Sequence, residues 1–327
     1  MGFETKDLKL LIVNPWADSY VGLISERFPE MNIIASKLLN EEREAIDEDV
    51  SDVDIILSFT PLRISQPKMK RLKWFQALSA GVEHITGSGV LAGDVILTNA
   101  AGVASIGISE FVITLMMAFA KKVPKLVHNQ SRKEWDFWCS GEFHRKTMGI
   151  LGLGHLGRPI AKIAKLGFDM QVVVFDKYVT EYEYADRVSA DLREVLTVSD
   201  FLVVTLPLND DTADLLGEAE FKAMKPNAFF MNVARGEIVV KEALVKALRE
   251  KWIAGAALDV FWGSDPSEMI LAPDDELWEF ENVLISPHTA WFSDNYAVRA
   301  TDIFARNLKA FVKGEPLNNR VEWPPDG

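Results

Sequence analysis

At 327 residues and 48% hydrophobic composition, the chain is long enough for two domains, each with its own core. The formal net charge of −13 argues against nucleic acid and anionic membranes as partners, because both need a basic face. A single cysteine, Cys139, excludes an internal disulfide framework, and its WDFWCSGE setting, with no adjacent base, makes it small apolar filler rather than a nucleophile.

The N-terminus, MGFETKDLKLLIVN, has no cationic segment followed by a long apolar one. The longest apolar stretch, Phe111 to Ala120, is too short to cross a bilayer, so a cytoplasmic protein is expected. Leu8 to Val13 predicts a strand broken by Asn14-Pro15. A helix over Tyr20 to Phe28 and a strand over Met31 to Ser36 follow. Asp54 to Phe59 is a buried-type strand ending at Thr60-Pro61. Lys73 to Leu78 leads into Ser79-Ala80-Gly81, and Val95 to Thr98 repeats the pattern. Strands separated by helical stretches predict a parallel α/β layout. Ile108 to Lys121 reads as a buried helix. The Trp-rich segment Trp135 to Trp138 either packs on its own domain or forms a dimer arm.

Lys146 to Asp176 carries the most information. An apolar run, Met148 to Leu153, enters Gly152-x-Gly154-x-x-Gly157; a helix-like segment and a second apolar run, Val172 to Phe175, end at Asp176. The first glycine permits a tight strand-to-helix turn, the second lets backbone approach a pyrophosphate, and the third lets helix and strand pack closely. Free N–H groups at the helix start face the anion. Asp176 lies about 20 residues past the last glycine, where a carboxylate accepts both ribose hydroxyls of NAD. NADH is therefore expected over NADPH, with Lys177 softening the preference.

Further strands are predicted over Phe201 to Thr205, Ala228 to Val233, Ala254 to Leu258 and Val283 to Ser286. Helices are predicted over Lys241 to Glu250 and Thr301 to Val312, the latter stopped by Gly314, and the Pro-rich tail reads as a surface strap. The expected fold is α/β, with two doubly wound, Rossmann-like parallel-sheet domains and a cleft between them. Residues 1–98 with 296–327 form the substrate domain, and 99–295 the NAD-binding domain. Arg235, Asp259 and His288 each follow a late strand, where such sheets place ligand sites. Singly, each also fits a loop-capping role.

The sequence resembles the NAD-dependent D-2-hydroxyacid dehydrogenases over nearly its whole length. The matching motifs are Gly152-Leu-Gly-His-Leu-Gly157, Thr205-Leu-Pro-Leu208 with Thr212, Asn232-Val-Ala-Arg-Gly236, Gly255-Ala-Ala-Leu-Asp-Val-Phe261, Pro287-His-Thr-Ala290 and the tail Asn307 to Pro316. The resemblance implies that Gly152, Gly154, His155, Leu156, Gly157, Asp176, Thr205, Pro207, Thr212, Val233, Ala234, Asp259 and Ala290 bind NAD, with Asp259 near the nicotinamide carboxamide. It implies that Arg235 clamps the substrate carboxylate and keto oxygen. His288 would be the acid and base, with an acidic partner. Backbone N–H groups of Ala80 and Gly81 would hold the carboxylate of a small 2-keto or 2-hydroxy acid. A homodimer and the absence of a metal also follow.

Two departures stand out. The family's Asp-Val-Phe-x-x-Glu-Pro is here Asp259-Val-Phe-Trp-Gly-Ser-Asp-Pro266, so Asp265 is expected as the partner of His288, with Ser264 and Glu268 as alternatives. Trp291 follows the His motif where many members carry a small residue. It either limits substrate size or packs in a hinge. Arg63 either meets a substrate phosphate or stands solvated. The rival reading is a nucleotide-gated, corepressor-like binding protein on the same scaffold.

Overall fold

The computed structural model describes residues 4–36, 51–60, 69–86, 91, 94–263 and 270–322. The chain divides into two compact units, residues 1–103 with 293–327, and residues 104–292. The sequence reading sets its domain boundaries at 98 and 296. Arg63, Ser264, Asp265 and Glu268 lie outside the described residues.

The first unit contains β1 (Lys9–Val13), α1 (Ala17–Arg27), β2 (Asn32–Ser36), β3 (Ile55–Ser58), β4 (Trp74–Ala77), α2 (Glu83–Thr86) and β5 (Ile96–Thr98). β3 and β4 are buried at every position, as strands covered on both faces require. The chain returns to this unit at its end, and aromatic stacking explains why. Buried Trp74 lies between Phe304 and Phe311, with ring centroids 5.2 and 5.5 Å away. Its indole donates to Thr98 Oγ1 at 2.8 Å.

The second unit contains α3 (Ser105–Ala120), α4 (Val123–Arg132), β6 (Thr147–Leu151), α5 (Gly157–Phe168), β7 (Gln171–Phe175), β8 (Arg187–Ser189), α6 (Leu192–Val198), β9 (Phe201–Val204), α7 (Glu218–Ala223), β10 (Phe229–Asn232), α8 (Lys241–Arg249), β11 (Gly255–Leu258) and β12 (Val283–Ile285). The chain closes with α9 (Tyr296–Lys313) and β13 (Arg320–Val321) in the first unit. α9 begins at Tyr296 rather than Thr301, and Gly314 ends it at φ 72°. β13 pairs antiparallel with β5, Arg320 opposite Thr98, so this part of the tail is a strand and not a strap. The first sheet runs β13-β5-β4-β3-β1-β2.

The second sheet runs β12-β11-β10-β9-β6-β7-β8, all parallel. Alternate side chains of a strand point to opposite faces, and two cores result. Ile150, Val172, Val174, Val203 and Met231 enter one; Leu151, Val173, Phe175, Val204 and Phe230 enter the other. Strand order reverses between β6 and β9, which makes the loops after them the expected ligand position in such a sheet. α3 buries only one face, through Ser109, Val112, Ile113 and Met116. Met117 is exposed, so the helix expected to be buried over Ile108 to Lys121 is buried on one side. The sequence reading has no helix at α4; its Val123, Leu126 and Val127 fall at helical spacing, yet all three are exposed rather than turned to the core. Among the described residues no helix is long and apolar enough to cross a membrane.

Candidate active site

The loop after β6 takes its shape from its three glycines, each for a different reason. Gly152 has φ 102°, a conformation that side chains with a Cβ resist. A Cβ on Gly157 would stand 2.0 Å from the Gly152 carbonyl oxygen, so helix α5 can begin against the turn only with glycine there. A Cβ on Gly154 would meet nothing within 4 Å, leaving open backbone beside the helix start. Among the described residues, the N–H groups of Gly154, His155 and Leu156 donate to no acceptor. Unpaired N–H groups at a helix start suit an anion, so the cradle fits the pyrophosphate of a dinucleotide.

Asp176 closes this loop from the end of β7. One oxygen accepts from Leu153 N at 2.8 Å; the other accepts from Tyr178 N and Val179 N, both at 2.9 Å. Burial works against its charge. The N–H groups of Val179, Leu153 and Tyr178, with Arg158 nearby, nevertheless hold the carboxyl below the usual carboxylate range. Thr205 and Thr212 build the neighbouring loops. Thr205 Oγ1 donates to the carbonyls of Leu151 and Gly152 at 3.0 and 2.8 Å, stitching the loops after β6 and β9 together. Thr212 Oγ1 donates to Pro207 O at 2.6 Å and accepts from Asn209 N at 2.9 Å. Both threonines are buried, while Pro207 is exposed.

Arg235, Asp259 and His288 follow β10, β11 and β12, three consecutive strands of the second sheet. Register sets their approach. Asn232 is level with Leu258, and Leu258 with Ile285, so Asp259 and Ser286 leave the sheet side by side. The Ser286 hydroxyl donates to Asp259 Oδ1 at 2.5 Å. That oxygen also accepts from Thr289 N at 3.0 Å, and both Asp259 oxygens take the Ala290 N–H at 3.2 Å. Asp259 is 2% exposed, so one buried carboxylate gathers the turn on both sides of His288.

Within that turn His288 N donates to Ser286 O at 2.9 Å around Pro287. His288 has φ 52°, a left-handed conformation that a histidine keeps only where its surroundings enforce it. Burial pulls the imidazole pKa down; the Asp259 carboxylate pulls it up, and the Arg235 guanidinium adds to the lowering. Burial pushes the Asp259 carboxyl up, against the Ser286 hydroxyl, the Thr289 and Ala290 N–H groups and the charge of His288. The three charged groups therefore sense one another. Among the described residues neither ring nitrogen of His288 has a hydrogen-bond partner.

Arg235 is held by its backbone. Asn232 Oδ1 accepts from Ala234 N at 3.0 Å, while Asn232 Nδ2 donates to Arg235 O at 2.8 Å. A Cβ on Gly236 would stand 2.3 Å from the Phe261 carbonyl, which locks the Arg235 loop against the segment carrying Asp259. Val233 and Ala234 are buried beneath it. Arg235 Nη1 donates to Ala234 O at 2.8 Å, leaving the rest of the fork without a partner among the described residues. Sequence reading missed Asn232 and Ser286 as supports. Their polar side chains at otherwise apolar strand ends were the available signal.

In the first unit, the Ser79-Ala80-Gly81 loop is tied down by its oxygens. Ser79 Oγ donates to Gly81 O at 2.7 Å, Asn99 Nδ2 to Ala80 O at 2.8 Å, and Ala100 N to Ser79 O at 2.8 Å. Among the described residues the N–H groups of Ala80 and Gly81 remain without acceptors. Half-buried Trp291 packs edge-on against Phe292, centroids 5.2 Å apart.

Residues 113–290 match the NAD-binding domain of D-isomer specific 2-hydroxyacid dehydrogenases. The chain is 32% identical over 288 residues to a glyoxylate reductase of Thermococcus gammatolerans, covering 84% of each protein. It is 29% identical over 326 residues to a D-3-phosphoglycerate dehydrogenase of Methanocaldococcus jannaschii, covering 97% of this chain but 60% of that one. A crystal structure of a D-isomer specific 2-hydroxyacid dehydrogenase family protein from Aeromonas salmonicida superposes with a TM-score of 0.85 at 26% identity, covering 97% of this chain and 99% of the other.

Proposed function

Because the chain belongs to the D-isomer specific 2-hydroxyacid dehydrogenase family, we propose that it reduces a small 2-keto acid of the glyoxylate or hydroxypyruvate type to the D-2-hydroxy acid. The observation that carries this reading is the Asp259-anchored turn, which holds His288 where it feels the charges of both Asp259 and Arg235. Gly152, Gly154, His155, Leu156 and Gly157 would hold the pyrophosphate of NAD, and Asp176 the adenosine ribose. Bound NADH supplies the hydride.

The protein's own part is orientation and proton transfer. The unpartnered edge of the Arg235 guanidinium offers parallel donors to the substrate carboxylate and keto oxygen. By the family resemblance, the N–H groups of Ala80 and Gly81 in the first unit would donate to a substrate carboxylate. His288 gives a proton to the alkoxide oxygen in reduction and accepts it in oxidation. Burial disfavours the imidazolium and Asp259 favours it.

The same proposal includes a homodimer. Trp135 and Phe137 are fully exposed, and Leu126 and Val127 are exposed beside them in the chain. Ala118, Phe119, Phe201 and Leu284 line a hollow of about 480 Å³ in the same unit. A second copy would cover this apolar surface. NADH consumption with glyoxylate, hydroxypyruvate, 3-phosphohydroxypyruvate, pyruvate and bulkier keto acids tests the activity. Turnover of none would sink it. Light scattering of the parent and of a Trp135→Ser/Phe137→Ser variant tests the dimer, which should become a monomer in the variant.

A further inference from the structure

Next to the ribose-binding carboxylate stands a cation that is already engaged. Lys177 follows Asp176, and its ammonium lies 3.1 Å from Asp211 Oδ2. That ion pair joins the loop after β7 to the loop after β9. Both partners are exposed, at 49% and 68% of their side chains. Arg158, the second cation in this region, is directed elsewhere: its Nε donates to Leu153 O at 3.0 Å, and its guanidinium lies 5.1 Å from the Tyr182 ring centre.

These placements bear on the 2′ position of the adenosine ribose, where NADH carries a hydroxyl and NADPH a phosphate. Asp176 favours the hydroxyl as an acceptor and repels the phosphate. A lysine beside it would reverse that preference in part, since an ammonium is a good point-charge partner for phosphate. Asp211 opposes this by occupying the ammonium.

We propose that Asp211 is a positioning residue for cofactor choice, keeping Lys177 from a 2′-phosphate and so widening the preference for NADH over NADPH. The inference rests on the NAD-binding reading given above. An exposed ion pair contributes little to stability, so replacing Asp211 leaves the fold intact and isolates the effect on the ligand. Backbone geometry is kept too, because the Asp211 N–H donates to Asn209 Oδ1 independently of its side chain.

The test is equilibrium titration of NADH and NADPH, and of 5′-AMP and adenosine 2′,5′-bisphosphate as fragments. The proteins are the parent, Asp211→Asn, Lys177→Ala and the double variant. Asp211→Asn should tighten NADPH and the 2′-phosphorylated fragment about twofold to fivefold, with NADH and 5′-AMP unchanged from the parent. The gain should vanish in the double variant and shrink in high salt. An unchanged NADPH-to-NADH ratio in Asp211→Asn would overturn the proposal. So would an equal shift for both cofactors, or a gain that survives without Lys177. A parent that binds neither cofactor would instead overturn the NAD-binding reading itself, and this proposal with it.

Discussion

Replacing Asp259 by asparagine separates the two things this carboxylate does for His288. Asparagine keeps the volume and one carbonyl oxygen, which still accepts from the Ser286 hydroxyl and the Thr289 N–H, now bound at 2.5 and 3.0 Å. On the other side its amide replaces Oδ2, so the Ala290 N–H, now shared by both oxygens at 3.2 Å, keeps Oδ1 alone, and the new amide N–H faces it as a buried donor with no acceptor. One buried donor left without an acceptor costs about 1–3 kcal/mol. The turn that carries His288 at positive φ loses that much of its support. If about two thirds or more of this cost reaches the transition state, kcat/KM falls roughly threefold to 150-fold, or about 0.7–3 kcal/mol. The second effect is electrostatic. Asp259 favours the imidazolium against burial and against Arg235, so losing its charge lowers the His288 pKa further. Reduction needs the protonated ring and should fail at a lower pH than in the parent. Oxidation needs the neutral ring and should persist to lower pH. Paired kcat/KM–pH profiles in both directions read the charge effect, and NADH titration confirms that the cofactor still binds. If both limbs stay in place and kcat/KM falls less than about threefold, Asp259 neither positions nor charges His288.

Arg235→Lys should lower kcat/KM at least tenfold, about 1.4 kcal/mol, with NADH binding retained, because a point charge cannot replace the fork; steady-state kinetics beside a cofactor titration decide it, and a smaller loss removes Arg235 from the substrate clamp. Gly157→Ala sets a methyl 2.0 Å from the Gly152 carbonyl, so the overpacking should cost about 1–3 kcal/mol. That is a Tm drop of roughly 2–12 °C, with NADH affinity weakened as the cradle opens; an unchanged Tm would mean that the turn relaxes freely. Trp291→Ala should shift the kcat/KM ratio toward bulkier keto acids, whereas a uniform loss across the panel would assign Trp291 to packing with Phe292.

Local patterns carried much of the sequence reading, because strands, helix stops and the glycine cradle depend on residues close in the chain. The alternation in β6 and β7 divides side chains between two faces whatever the partner strands are. The glycine spacing encodes a turn that Gly152 and Gly157 build almost alone, and Gly314 ends α9 by its own conformational freedom. Boundaries were less legible. α9 starts earlier than its apolar stripe suggests, because Tyr296 is buried through contacts of its own, its hydroxyl donating to Leu78 O. β13 exists only because β5 offers it an edge. The candidate site shows the same division. Sequence alone put Arg235, Asp259 and His288 each at the end of a strand, where any one could have been a loop cap. Only the sheet order made β10, β11 and β12 neighbours, and only register set Asp259 level with Ser286. Strand pairing between segments distant in sequence is decided by the burial of whole faces, a sum over many side chains that no single motif contains. The chemistry of each residue was therefore local information, and their meeting was a property of the tertiary fold.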